Sequence, residues 1–188
     1  WLMRIIGGQF KGRKILTPVD KKTRPLKDLA KESIFNIIKH SKKFNVNLEN
    51  SNVLDLFSGV GSFGLEALSR DAKNVAFVEN YSASLTILKK NIDNLNLSQK
   101  CSIFEKDIIN NLNFEILNKQ FDIVFLDPPF IEKNISNILL KVYNSNILRK
   151  ESIFIIHRNN KVKDTLPKEF KILEEKKYGL SKIIFGKF

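Results

Sequence analysis

Cysteine is almost absent from this chain. Cys101 stands alone, which rules out an internal disulfide, and with only His40 and His157 beside it no Cys/His cluster has metal-ligand spacing. Cys101 is expected in the core at a strand start. Long apolar runs are missing too: none approaches the ~20 residues of a membrane span, and no charged-then-apolar leader stands at the start. A cytoplasmic protein with no membrane partner is expected. Internal repeats and low-complexity segments are also lacking. The 188 residues read as one domain, with a basic hairpin and helix over 1–43 and an α/β core over 52–188, and as a monomer.

Acidic residues are the scarcer charge, 20 against 32 Lys and Arg, and the surplus is unevenly placed. Residues 1–43 carry 12 Lys or Arg against three acids, so this segment holds +9 of the formal +12. A basic face confined to one segment is the footprint of a phosphate-backbone partner. Arg4, Lys11, Arg13, Lys14, Lys21, Lys22 and Arg24 are its candidate contacts. Codon bias toward lysine, visible in 26 Lys among the 32 cations, explains the number but not the asymmetry.

Glycine is sparse, yet three of eight fall at Gly59, Gly61 and Gly64, directly after the apolar run Val53-Leu54-Asp55-Leu56-Phe57 and Ser58. A strand buried on both faces, a sharp turn close to a ligand and a helix are predicted in that order. The spacing G-x-G-x-x-G is shared with dinucleotide enzymes and is weak alone. Acids discriminate. Predicted strands 75–79, 101–107 and 122–126 end at or beside Glu79, Asp107 and Asp127, and Asp55 lies on the first strand. In an open parallel sheet these four line one crevice at the carboxyl ends of the strands. They would repel a pyrophosphate and welcome the sulfonium and ribose diol of S-adenosylmethionine, the expected cofactor. Glu79 as an ordinary strand-end charge and Asp107 as a helix cap are the plainer readings.

Taken in order, the strand-like runs 4–6 and 14–16 around Gly7-Gly8 and Gly12 predict a small hairpin. A helix over about 26–39 follows Thr23-Arg24-Pro25, burying Leu26, Leu29, Ala30, Ile34, Ile37 and Ile38 and presenting charge on its other side. Helices are expected over about 81–95, 108–118 and 134–146, with a strand at Ile153–Ile156 and a final hairpin, 170–177 and 181–186, about Tyr178-Gly179. Strand and helix alternate as in a mostly parallel sheet with right-handed crossovers, to which the hairpin adds an antiparallel edge.

Asp127-Pro128-Pro129-Phe130 is the most specific stretch. Two prolines after a buried strand forbid helix and sheet pairing and fix the chain's exit, leaving Asp127 and the Pro128 carbonyl as a rigid pair of acceptors. Such a pair suits the exocyclic amine of a nucleobase, whose nitrogen becomes more nucleophilic as its N–H groups are accepted, and Phe130 offers a face on which the base can stack. No metal is required. The plainer alternative is a capping acid before a core phenylalanine, and His157 reads as a hydrogen-bonded histidine rather than a catalyst.

Met3-Arg4-Ile5-Ile6-Gly7-Gly8 with Gly12-Arg13, Arg24-Pro25, Glu32-Ser33-Ile34-Phe35-Asn36, Leu54 to Gly59 and Asp127 to Phe130 together resemble the RsmD family of bacterial 16S rRNA guanine-N2 methyltransferases. The resemblance implies a Rossmann-like class I fold with a seven-stranded sheet, S-adenosylmethionine as donor and a guanine of 16S rRNA or the assembling small subunit as acceptor. It places Glu79 on the ribose hydroxyls, Asp107 on the adenine amine with Ile108 beside it, and Arg24 near the closing edge of the site. Leu26 stands where the family usually has Thr, and the helix after it carries Lys where the family has Arg. Two rivals stay open: a DNA adenine-N6 methyltransferase, which shares the Asp-Pro-Pro-aromatic motif but commonly adds a target-recognition region, and a non-catalytic RNA-binding protein on the same scaffold.

Overall fold

Five parallel strands and an antiparallel hairpin form one sheet in the order β3-β2-β1-β4-β5-β7-β6. The strands are β1 (Asn52–Leu56), β2 (Asn74–Glu79), β3 (Cys101–Glu105), β4 (Phe121–Leu126), β5 (Leu148–Asn159), β6 (Lys171–Tyr178) and β7 (Ser181–Lys187). The helices are α1 (Asp28–His40), α2 (Ser62–Ser69), α3 (Ser82–Asn94) and α4 (Ile135–Asn144). This computed structural model describes residues 3–19, 26, 28–110 and 112–188. The seven-stranded, mostly parallel sheet with its hairpin edge is the architecture the sequence predicts. Lys21, Lys22, Arg24 and Pro25 lie outside the described residues.

Alternation along the strands sorts side chains into two cores. Val53, Ile123, Phe125, Ile153, Ile155, Ile183 and Phe185 pack under α1, α2 and α3, whereas Leu54, Leu56, Val124, Leu126, Phe154 and Ile156 pack against α4. A stacked row, Phe35 on Phe63 at 5.1 Å and Phe63 on Phe125 at 3.9 Å, joins α1 through α2 to the sheet. Such ring pairs contribute about 0.5–1.5 kcal/mol each beyond burial. Parallel order reverses across β1, paired with β2 on one side and β4 on the other, which opens the crevice at their carboxyl ends.

Three local predictions need correction. Among the described residues of 108–118 no α-helix forms: a turn at 108–110 and a 3₁₀ turn, Phe114–Leu117, stand there instead. Asp107 takes the N–H groups of Ile109 and Asn110, which a helix beginning there would also leave free, but Asn113 takes that of Glu115, a donor that a continuous helix would need. β3 ends at Glu105 rather than 107. On α1, Leu29 is solvent-exposed, whereas Lys31 and Phe35 fill the buried stripe.

The amino-terminal runs meet through one antiparallel bridge, Arg4 with Lys14, rather than an extended ladder. Met3, Ile5 and Ile15 are buried, each such side chain contributing about 1.5–3 kcal/mol. The backbone is then stitched to α2 and α3. Glu66 accepts from the N–H groups of Ile6 and Gly7, Ser69 Oγ accepts from that of Phe10, and Asn91 Oδ1 accepts from that of Leu16. Gly8 has φ 76° and lies against Ser69, where any Cβ would collide with a carbonyl oxygen. Inside, Lys31 donates to the Arg4 carbonyl at 2.8 Å and to Ser62 Oγ at 3.1 Å, and lies 3.5 Å from the equally buried Glu66. Burial lowers the Lys31 pKa, against the pull of Glu66 and Asp28.

Candidate functional site

A crevice of about 730 Å³ crosses the carboxyl ends of β1, β2 and β4, within the ~300–1,000 Å³ typical of ligand pockets. Its floor is the turn after β1. Phe57, Gly59 and Gly61 have φ of 57°, 55° and 90°, a run of left-handed residues that folds the chain back on itself. Gly59 leaves open space where a side chain would stand, toward the crevice. Gly64 serves packing instead: a Cβ there would strike the Phe77 ring, so the third glycine brings α2 close to β2. Gly61 likewise sits under Leu88 and does not line the crevice.

The four acids come together as expected, in different states. Asp55 is 1% exposed; its Oδ2 accepts from the Gly64 N–H at 3.1 Å, while Oδ1 has no partner among the described residues. Burial raises its pKa well above the usual carboxylate range, and the charges of Asp127 and Glu79 add to the rise. Ser58 Oγ is a second buried polar atom without a described partner. Glu79 accepts from the N–H groups of Gly59, Asn80 and Tyr81, each at 2.9 Å, which leaves about one of its four acceptor positions open. Asp107 accepts from the side-chain amide of Asn110 and from the N–H groups of Asn110 and Ile109, which hold it below the usual range. Capping a turn and lining the crevice are therefore both true of Asp107, with Ile108 beside it in the wall.

Opposite the glycine turn, Asp127, Pro128, Pro129 and Phe130 form the other wall, and Phe130 is 49% exposed. Asp127 is not solitary. Its Oδ1 is 2.9 Å from His157 Nδ1, and His157 Nε2 is 2.8 Å from Ser181 Oγ. Next along β5, the Arg158 guanidinium donates to the carbonyls of Pro129 at 3.1 Å and Glu132 at 2.6 Å and pairs with Asp164 at 2.8 Å, so the proline turn is tied down from inside. His157 is hydrogen-bonded, as the sequence reading has it, whereas its link to Asp127 and the whole of Arg158 were missed; the visible signal was a polar pair ending the apolar run Ile153–Ile156.

The described basic candidates stand outside the crevice. Arg4, Lys11, Arg13 and Lys14 are exposed on the amino-terminal segment; Arg4 pairs with Asp28 at 3.4 Å and Arg13 donates to the Asn94 carbonyl at 2.8 Å. Met3 and Leu26, unmarked by the sequence reading as site residues, line the crevice and make this segment one of its walls. Cys101 is half-buried, its thiol pushed up to about 12 by burial. Among the described residues no cluster of three or more His, Cys, Asp or Glu could hold a metal ion, and no helix is long and apolar enough to cross a membrane.

Residues 3–187 match the family described as Conserved hypothetical protein 95. The chain is 32% identical over 183 residues to the ribosomal RNA small subunit methyltransferase D of Haemophilus influenzae, covering 95% of this chain and 90% of that one. To the protein of the same name in Escherichia coli K12 it is 30% identical over 168 residues, covering 88% and 78%. The solved Escherichia coli chain yhhF superposes with a TM-score of 0.79 at 26% identity, covering 99% of this chain and 97% of that one. Sheet order, glycine turn and proline turn thus accompany a match along the whole described fold, and the chain belongs to the Conserved hypothetical protein 95 family, the RsmD family of methyltransferases.

Proposed function

We propose that the protein transfers a methyl group from S-adenosylmethionine to the exocyclic N2 amine of a guanine in small-subunit ribosomal RNA. The observation that carries the reading is the pair of facing walls: a glycine turn ringed by acids on one side, and on the other an acid followed by two prolines and an exposed phenylalanine. The relatives' names supply the RNA.

The donor side fits a cationic ligand bearing a diol. Asp55 Oδ1 and Ser58 Oγ are buried polar atoms without a partner among the described residues, the remaining acceptor position of Glu79 suits a ribose hydroxyl, and Gly59 leaves room for close approach. When bound, S-adenosylmethionine supplies an electrophilic methyl on a positive sulfonium. Asp127 and the Pro128 carbonyl would accept hydrogen bonds from the guanine amine, turning its lone pair toward that methyl. They matter more as positive charge grows on the nitrogen, which is how preorganised acceptors speed a reaction. A base inside a helix cannot reach the crevice, so the target must leave its stack, and Phe130 would hold it by ring stacking. The exposed Arg4, Lys11, Arg13 and Lys14 would meet phosphates outside.

Nucleoside mass spectrometry of small-subunit rRNA, taken from a strain lacking the gene and incubated with the protein and donor, should reveal N2-methylguanosine. N6-methyladenosine as the product, or no methylated nucleoside, would overturn the reading.

A further inference from the structure

Behind the acid of the proline turn, side chains from three adjacent strands stand in line. Asp127 follows β4, His157 lies near the end of β5 and Ser181 opens β7, and the two contacts joining them measure 2.9 and 2.8 Å. The sheet builds this line by register: Asp127 and His157 follow the parity of Phe125 and Ile155, and His157 pairs across to Ile183, two residues from Ser181. All three belong to the face under α1, α2 and α3, the face that also carries Asp55.

Chemistry then orients the line. A carboxylate only accepts hydrogen bonds, so an ionised Asp127 requires the hydrogen of His157 on Nδ1; the neutral ring has its lone pair on Nε2, and the Ser181 hydroxyl donates to it. The acid thereby selects the tautomer, and the serine hydroxyl, able to donate or accept, answers it by donating to Nε2. With Oδ1 engaged, Oδ2 is the oxygen left for an acceptor amine. The side chains of His157 and Asp127 are 18% and 26% exposed, sheltered enough to hold a fixed geometry and still part of the crevice wall.

We infer that His157 is a positioning residue for methyl transfer, aiming the Asp127 carboxylate through Nδ1 while Ser181 holds the far side of the ring through Nε2. This rests on the reading that Asp127 orients the acceptor amine. Arg158 independently holds the backbone of the proline turn through the carbonyls of Pro129 and Glu132, so losing the imidazole releases the carboxylate and not the turn.

Two measurements test the inference. The chain has two histidines, so nitrogen-15 imidazole spectra are assigned with His40→Gln alone. The expected spectrum of His157 is the Nδ1–H tautomer, perturbed by Asp127→Asn and by Ser181→Ala; an Nε2–H tautomer, or indifference to Asp127→Asn, overturns it. In steady-state methyl transfer, His157→Leu should lower kcat about 10- to 100-fold, the scale of a misaimed reacting group, with donor Kd and RNA KM within about threefold. His157→Asn, whose amide nitrogen can stand where Nδ1 stood, should recover most of kcat, whereas His157→Gln, which reaches toward the Nε2 position, should not. Full kcat in His157→Leu, or equal losses for Asn and Gln, overturns the inference. A different methylated nucleoside from the wild-type protein would instead change the acceptor, with the spectrum and the ranking of variants intact.

Discussion

On the β1–β2–β3 side of the crevice the acids are held by backbone: Glu79 by three N–H groups of its own loop and the glycine turn, Asp107 by two N–H groups of the turn it begins and the amide of Asn110. On the β4–β5 side the acid is held by a side chain 30 residues away, itself bonded to the carboxy-terminal hairpin. The first arrangement is local, and almost any sequence that makes those turns would reproduce it. The second depends on strand pairing between distant segments, so changes far along the chain can reach the chemistry there.

That contrast predicts separable defects. Asp127→Ala should cut turnover about 10²–10³-fold, the usual loss for one preorganised group, with donor affinity unchanged. Glu79→Ala should do the reverse: a hydrogen bond to a charged group is worth about 1.5–3 kcal/mol, so donor Kd measured calorimetrically should rise about 10- to 150-fold. Equal loss of donor affinity in both variants would dissolve the distinction between the two sides. Phe130→Ala should then raise the RNA KM by the roughly 1–3 kcal/mol of a base stack while leaving donor Kd alone, and Phe130→Tyr should behave as wild type.

Away from the reacting groups the expected effects shrink. Replacing Lys11 and Lys14 by Glu should flatten the dependence of log affinity on log salt by about 0.7–0.9 per lost phosphate contact, without touching the donor. A smaller effect concerns Asp55, whose buried carboxyl has a raised pKa. Its folded form binds a proton that the unfolded chain has already lost, so stability must fall as pH rises from the ordinary aspartate value of about 3.9 toward the raised one. Asp55→Asn should remove that slope, seen by denaturant unfolding of the ligand-free protein across this window. A wild-type protein that gains stability relative to the variant as pH rises would contradict the assignment.

The donor side was readable because its signals are short. β1, β2 and β4 are largely apolar runs of five or six residues, glycine spacing marks the turn, and each acid sits within two residues of a strand end. The 3₁₀ turn at Phe114–Leu117 was hidden because its apolar spacing is helical, while the Asn113 side chain takes the N–H of Glu115 and starts a new turn there. Lys31 was hidden for a related reason: hydropathy assigns lysine to water, and only the converging Arg4 carbonyl, Ser62 hydroxyl and Glu66 carboxylate make its burial tolerable. His157 and Arg158 acquire their roles through partners on β4, β7 and the loops between, pairings that linear patterns do not contain.

Glu66 gives the amino-terminal segment a mechanical character of its own. Two backbone amides end on that one carboxylate, Lys31 and Arg70 lie against it, and Lys31 also grips the Arg4 carbonyl. Peeling the segment away would leave Lys31 and Glu66 paired with each other but short of the two amides and the carbonyl that complete their hydrogen bonding, at about 1–3 kcal/mol for each buried polar group left unsatisfied, so no intermediate half-lifted position is favourable. The segment therefore behaves as a latch that is either shut or wholly open. The amides of Ile6 and Gly7 would exchange with solvent deuterium at one shared rate, set by the release of α2 rather than by fraying from the chain's beginning.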